Sequence, residues 1–157
     1  MKTKKEKQLI LIIPVFNEAD RLRTSFDLLV DFFVDKKYLC KICFVDDGSS
    51  DDTVDVVNEL IKKKKLSIEL VQNKVNLGKG ASIKKAVQKY IDFDDYLAYT
   101  DADLPYGLAL LEEYRRLLGE GKADLVIGNR EFNGNAREQY SVYRYFFKKV
   151  FKMMLSK

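Results

Sequence analysis

The chain has 157 residues, 46% of them hydrophobic and 33% charged, which suits one globular domain and is too short for two of ordinary size. Its 28 Lys and Arg exceed its 24 Asp and Glu by only +4, scattered along the chain, so charge gives no reason to expect nucleic acid as a partner. There is no histidine, which excludes His-based triads, His general bases and the usual His-containing zinc sites.

The basic start, Met1 to Lys7, is followed by an apolar run over 9–16 that contains Pro14. That run is too short for a signal peptide and lacks a small-residue cleavage site, so it predicts a strand over Leu9 to Val15. No apolar run reaches the roughly 18 residues of a membrane-spanning helix. Residues 18–36 place Leu22, Phe26, Leu29 and Phe33 at spacings of three and four, the pattern of an amphipathic helix. A second strand is predicted over 39–45. Its Cys40 and Cys43 would point to opposite faces there, so they are expected as buried thiols in a reducing compartment rather than as a disulfide. A helix over 51–65, capped by Ser50 or Asp51, leads to a strand over 66–71 and a helix over 81–90. A strand over 96–100, a helix over 107–118, a fifth strand over 123–128 and a helical tail over 141–155 complete the series.

Strands alternating with helices predict an α/β fold with a mainly parallel sheet covered on both faces. Such sheets bind ligands at the carboxyl ends of their strands. The loops after strands one, two and four therefore share one edge: Asn17-Glu18, Asp46-Asp47-Gly48-Ser49-Ser50 and Asp101-Ala102-Asp103.

Asp101 and Asp103 are two carboxylates one residue apart at a strand end, able to meet a hard cation such as Mg2+ or Mn2+ together with substrate phosphates. The same residues also suit a solvated turn before Pro105 and Gly107. Asp46 or Asp47 could accept from the N–H groups of a base, or could simply open a turn into a capped helix. Lys79 between Gly78 and Gly80 resembles a phosphate cradle at a helix start, though a plain loop fits as well, and the motif is neither a P-loop nor a dinucleotide fingerprint. Arg130, Arg137 and Arg144 could clamp a diphosphate or lie on the surface.

In order, Pro14-Val-Phe-Asn-Glu18, Val45-Asp-Asp-Gly-Ser49, Asn76-x-Gly-Lys-Gly80, Asp101-Ala-Asp103 and Gly128-Asn-Arg130 resemble family 2 glycosyltransferases of the GT-A fold, a Rossmann-like sandwich. The series looks most like the branch that transfers glucose or mannose to dolichyl or another polyprenyl phosphate. The resemblance implies that Pro14, Phe16 and Glu18 line the nucleotide and that Asp46 reads its base, with Asp47 and Lys79 in the same donor site. It implies that Asp101 and Asp103 serve the diphosphate and its Mg2+ or Mn2+, Asp103 more directly, and that Arg130 and Arg144 face the phosphates of donor and acceptor. The implied partners are a UDP- or GDP-sugar and a polyprenyl phosphate at the cytoplasmic face of a membrane, with no nucleic acid.

Two departures qualify that expectation. Mannosyl-transferring relatives commonly carry a Gln two residues after the second Asp; Pro105 stands there, which tilts the expectation toward glucose. The chain also ends at Lys157, where relatives continue, so residues 1–140 are expected as a GT-A catalytic domain cut short at its C-terminus. Residues 141–157 would then be a basic and aromatic amphipathic helix leading into the missing part, or lying at a membrane interface. The rival expectations are a family 2 enzyme acting on a saccharide acceptor, for which Glu131 and Glu138 are the available downstream carboxylates, and a non-catalytic nucleotide-sugar-binding fragment.

Overall fold

A computed structural model describes residues 7–92, 96–105 and 107–128. The chain divides into two compact units, Met1–Asp124 and Leu125–Lys157. The first holds all the assigned elements: β1 (Leu9–Val15), α1 (Ala19–Phe33), β2 (Leu39–Asp46), α2 (Thr53–Lys63), β3 (Ile68–Gln72), α3 (Lys79–Tyr90), β4 (Tyr96–Tyr99) and α4 (Leu110–Gly119). The strands form one sheet in the order β3-β2-β1-β4, and every pairing is parallel. The α/β fold expected from the alternating pattern is thus the observed one.

The pleat sorts the core. Leu9, Leu11, Ile13 and Val15 of β1, with Ile42 and Phe44 of β2, face α1 and α2, where Leu22, Phe26, Leu29 and Phe33 meet Val56, Val57 and Leu60. The alternate residues Ile10, Ile12, Cys43 and Val45 face Ala86 and Tyr90 of α3. A strand apolar at every position is what a sheet covered on both faces requires, and each such side chain contributes about 1.5–3 kcal/mol by leaving water. Cys43 is fully buried and unbridged, and burial pushes its thiol up. The side chain of Cys40 lies outside the described residues.

Two expectations are corrected and one is extended. Residues 123–128 form no strand, because an apolar run becomes one only beside a ladder partner and no described segment supplies it. The N-cap of α2 is Asp52, which makes no side-chain cap bond. Asp51, as expected, accepts from the first N–H of α2, that of Thr53, at 3.0 Å with one oxygen, and with the other it accepts from the Ala19 N–H at 3.3 Å, so it also caps the neighbouring helix α1. Helix α4 begins at Leu110 rather than at 107, after a turn in which Gly107 takes φ 66°.

At the opposite end of the sheet, Glu69 of β3 accepts from Lys41 Nζ at 2.6 Å, from Tyr90 Oη at 2.8 Å and from Lys89 Nζ. Burial alone would raise Glu69, but these donors outweigh it and hold the carboxyl down to about 2, against the ordinary 4.5. A depressed acid stabilises the fold fully above its unfolded value, and that contribution is lost as pH falls through the folded one. Stability is therefore expected to decline between about pH 4.5 and 2. Glu69→Gln should remove about 1–2 kcal/mol of that slope in denaturant titrations, because the pair remains partly in water.

Candidate active site

Within the first unit, the order β3-β2-β1-β4 sends the chain from β1 to β2 on one side and places β4 on the other, so the crevice beyond the carboxyl ends of β1 and β4 is the natural ligand position. One residue widens it. Pairing of β1 to β4 ends at Ile12 opposite Tyr99, followed by the Thr100 N–H donating to the Ile12 carbonyl. Pro14 lies beyond that point, so a residue without an N–H interrupts no ladder there. The result is a cleft of about 360 Å3, lined by Pro14, Phe16 and Glu18 from the β1 end, Asp47 from the β2 end, Lys79 from the start of α3, and Asp101 and Asp103 after β4.

The β1–α1 loop is held by the start of α2. The Asn17 N–H donates to Ser49 Oγ at 2.9 Å, Asn17 Oδ1 accepts from the Ser50 N–H at 2.8 Å, and the Glu18 N–H donates to Thr53 Oγ1 at 2.8 Å. Asn17 is left-handed, at φ 54°, a conformation Asn tolerates better than most residues. This fixes Glu18, whose two oxygens both accept from Arg21 Nη1, at 2.7 and 2.9 Å. Phe16 stays 43% exposed at the cleft, an apolar ring available to a ligand.

Asp47 joins the second and third walls. It is buried, and its Oδ1 accepts from Asn73 Nδ2 at 2.8 Å, Ser82 Oγ at 2.8 Å and the Leu77 N–H at 2.9 Å; its Oδ2 accepts from the Gly78 N–H at 2.8 Å. Burial pushes this carboxyl up, and the hydrogen bonds, that from Leu77 foremost, more than reverse it and hold it below its usual range. Next to it, Gly48 takes φ 77°, and a Cβ there would stand 2.8 Å from the backbone carbon of Val75. Only glycine lets the 46–50 and 73–78 loops approach this closely. Asp46 is also buried, does not line the cleft, and accepts from the Ser49 N–H at 3.1 Å.

The Asp101–Asp103 turn closes the cleft. The Leu104 N–H donates to the Asp101 carbonyl at 3.0 Å, and Leu104 is left-handed at φ 47°, which costs roughly 1–2 kcal/mol in a residue with a Cβ. Ala102 is buried between the two carboxylates. Asp101 is paired with Lys79 Nζ, whereas Asp103 makes no hydrogen bond or ion pair among the described residues. Two hard oxygen donors suit Mg2+ or Mn2+, which fill their remaining positions with phosphate oxygens and water. No cluster of three acidic or Cys ligands forms among the described residues.

Of the residues singled out from sequence, Pro14, Phe16, Glu18, Asp47, Lys79, Asp101 and Asp103 share the cleft and Asp46 lies outside its lining. Arg130, Arg137, Arg144, Glu131, Glu138 and the tail helix over 141–157 lie outside the described residues. Sequence reasoning missed Arg21 in the lining and named Asn76 only as part of a motif. Arg21 carried a usable signal, an opposite charge three residues after Glu18; Asn76, which accepts from the Gly78 N–H at 3.0 Å, opens the Asn76-x-Gly-Lys-Gly80 motif. No described helix is long and apolar enough to cross a membrane.

A parallel sheet with helices on both faces and an acidic cleft at the carboxyl ends of its strands has the GT-A fold, which its solved neighbours share. The mannosyltransferase of Pyrobaculum calidifontis, in complex with GDP-mannose and Mn2+, matches with a TM-score of 0.60 at 19% identity, over 85% of this chain and 39% of that one. The family follows from sequence: the glycosyl transferase family 2 model matches residues 10–156, and the chain belongs to that family. An uncharacterized protein of Methanocaldococcus jannaschii is 31% identical over 79% of this chain and 52% of its own length. A dolichyl-phosphate beta-glucosyltransferase of Trichomonas vaginalis is 28% identical over 88% of this chain and 43% of its own. The chain thus spans about half the length, or less, of these curated relatives.

Proposed function

We propose that the chain is the donor-binding part of an inverting, metal-dependent glycosyltransferase. It would move a hexose, glucose in the first instance, from a nucleotide-diphospho-sugar to a polyprenyl phosphate at the cytoplasmic face of a membrane. The observation that carries the proposal is the pairing of an unengaged carboxylate, Asp103, with Asp101 at the switch point of the sheet, beside Lys79 and the exposed ring of Phe16. The Trichomonas relative supports the lipid phosphate and glucose, and Pro105 in place of a Gln agrees with it.

In this reaction an acceptor phosphate oxygen bonds to the anomeric carbon as the bond from that carbon to the diphosphate breaks, and the diphosphate leaves with the electron pair. Mg2+ or Mn2+ on Asp103 and Asp101 would supply positive charge to the leaving diphosphate. Pro14, Phe16, Glu18 and Lys79 line one cleft, where the first three would form the wall for the nucleotide and Lys79 would meet its phosphates. Asp46 keeps a part in base recognition only if the turn it holds through Ser49 opens on binding. Arg130 and Arg144 are assigned to the donor and acceptor phosphates. A phosphate monoester has a second pKa of about 6 and is already largely ionised at neutral pH, so the attack needs no strong base, in keeping with a chain without histidine.

The test is transfer of labelled glucose from UDP-glucose to dolichyl or undecaprenyl phosphate by this chain and by any longer form of the protein, with Mn2+ present. Label in the organic phase that is lost with chelator supports the proposal. Label passing only to free saccharides favours a saccharide acceptor, and binding of UDP-glucose with no transfer from either form favours a non-catalytic module.

A further inference from the structure

Each acidic side chain of the cleft has its charge met in a different way. Glu18 is matched by Arg21 on the same helix turn, and Asp47 is absorbed by four hydrogen bonds, from Asn73, Ser82 and the N–H groups of Leu77 and Gly78. Asp103 is unmatched among the described residues. Asp101 alone is matched across the cleft, by Lys79, a residue 22 positions away on another wall. The two side chains of this pair are 52% and 39% exposed. An ion pair so open to water is worth little and exchanges readily.

The same pair is an obstacle to a divalent cation arriving alone. To use Asp101, the cation must take that carboxylate from Lys79 and leave an ammonium a few ångströms from a doubly charged ion, which is repulsive. A cation arriving with a nucleoside diphosphate meets no such obstacle, because the diphosphate oxygens offer Lys79 a new partner while Asp101 turns to the metal. From this arrangement we infer that Lys79 is the resident counter-cation of Asp101 and makes binding of the divalent cation depend on binding of the nucleoside diphosphate. The inference rests on the donor-site proposal above and adds an order of events to it. In the empty cleft Asp101 is neutralised by its own lysine, and the two ligands enter as a unit.

The experiment measures Mn2+ binding from the electron paramagnetic resonance of the free aqueous ion, with and without saturating UDP and corrected for UDP–Mn2+ complexes in solution. It compares the native chain with Lys79→Met and Lys79→Arg. The native chain is expected to bind Mn2+ weakly alone and about tenfold more tightly with UDP. Lys79→Met should bind Mn2+ alone about three- to tenfold more tightly than the native chain and lose most of the gain from UDP. Lys79→Arg should keep the native pattern. If the native chain binds Mn2+ with UDP in a manner sensitive to Asp103→Ala, but Lys79→Met leaves Mn2+ binding without UDP unchanged or weaker, the counter-cation role is overturned and the donor site stands. If the native chain binds no Mn2+ under any of these conditions, the donor-site proposal fails and this inference with it.

Discussion

Asp103→Ala is expected to lower the Mn2+-dependent affinity for UDP-glucose by about ten- to a hundredfold while leaving the fold intact. The carboxylate has no hydrogen bond or ion pair among the described residues, so its removal withdraws no support from the protein. A surface change of that kind ordinarily moves stability by about 0.5 kcal/mol or less. The backbone nevertheless holds this turn in an unfavourable shape, with Leu104 left-handed directly after it. Strain of that sort persists where surrounding structure enforces it, and it gathers at ligand sites. A hard oxygen ligand has no substitute in alanine, and loss of a direct ligand should cost at least as much as the 10–100-fold typical of outer-shell partners. Isothermal titration with UDP-glucose and Mn2+, beside thermal unfolding of the same variant, separates the two effects. Unchanged affinity would show that Asp103 is only a turn residue.

The second large effect falls on stability. Asp47→Ala removes the acceptor for Asn73, Ser82, Leu77 and Gly78 at once and leaves those donors facing a cavity. Breaking a buried charged network on one side costs about 3–5 kcal/mol, a large share of a small domain's total. Asp47→Asn should cost less, about 1–3 kcal/mol, since its carbonyl oxygen can still accept while its amide meets the Gly78 N–H as donor against donor. Urea denaturation of the two variants reads these differences directly. Both should also weaken donor binding, because the loop that carries Lys79 is tied down through Leu77 and Gly78. A stability equal to the native chain's in Asp47→Ala would mean that water satisfies these donors and that Asp47 is not the tie.

What could be foreseen from sequence follows physical range. The strand Leu9–Val15 was legible to the residue because burial on both faces demands an unbroken apolar run. Helix α1 announced itself through Leu22, Phe26, Leu29 and Phe33, whereas the capping of its first N–H by Asp51, 32 residues on, left no local pattern. The carboxylates at 101 and 103 were legible as a pair, and their sharing of a cleft with Glu18 followed from the strand order. The Asp47 network was not. Its partners lie 26 to 35 residues away, in the 73–78 loop and the first turn of α3, and nothing in Asn73 or Ser82 distinguishes them from solvent-facing residues. Lys79 could be read only as a loop lysine near phosphates, since its pairing with Asp101 depends on how α3 meets the end of β4. The run over 123–128 misled because a strand is a property of two segments, and its apolar residues describe one.

Sequence separation also sets the order in which the cleft can be built as the chain is made. Asn17 waits for Ser49, Ala19 for Asp51, Asp47 for Gly78 and Lys79 for Asp101, gaps of 32, 32, 31 and 22 residues. Closing each loop carries an entropic cost before any hydrogen bond offsets it. The first βα units can therefore bury Phe26, Phe44 and Val57 early, while the cleft gains its last wall only when β4 has docked beside β1. During synthesis the hydrophobic core precedes the binding surface, and a chain interrupted before residue 96 would have a core and no place for a donor.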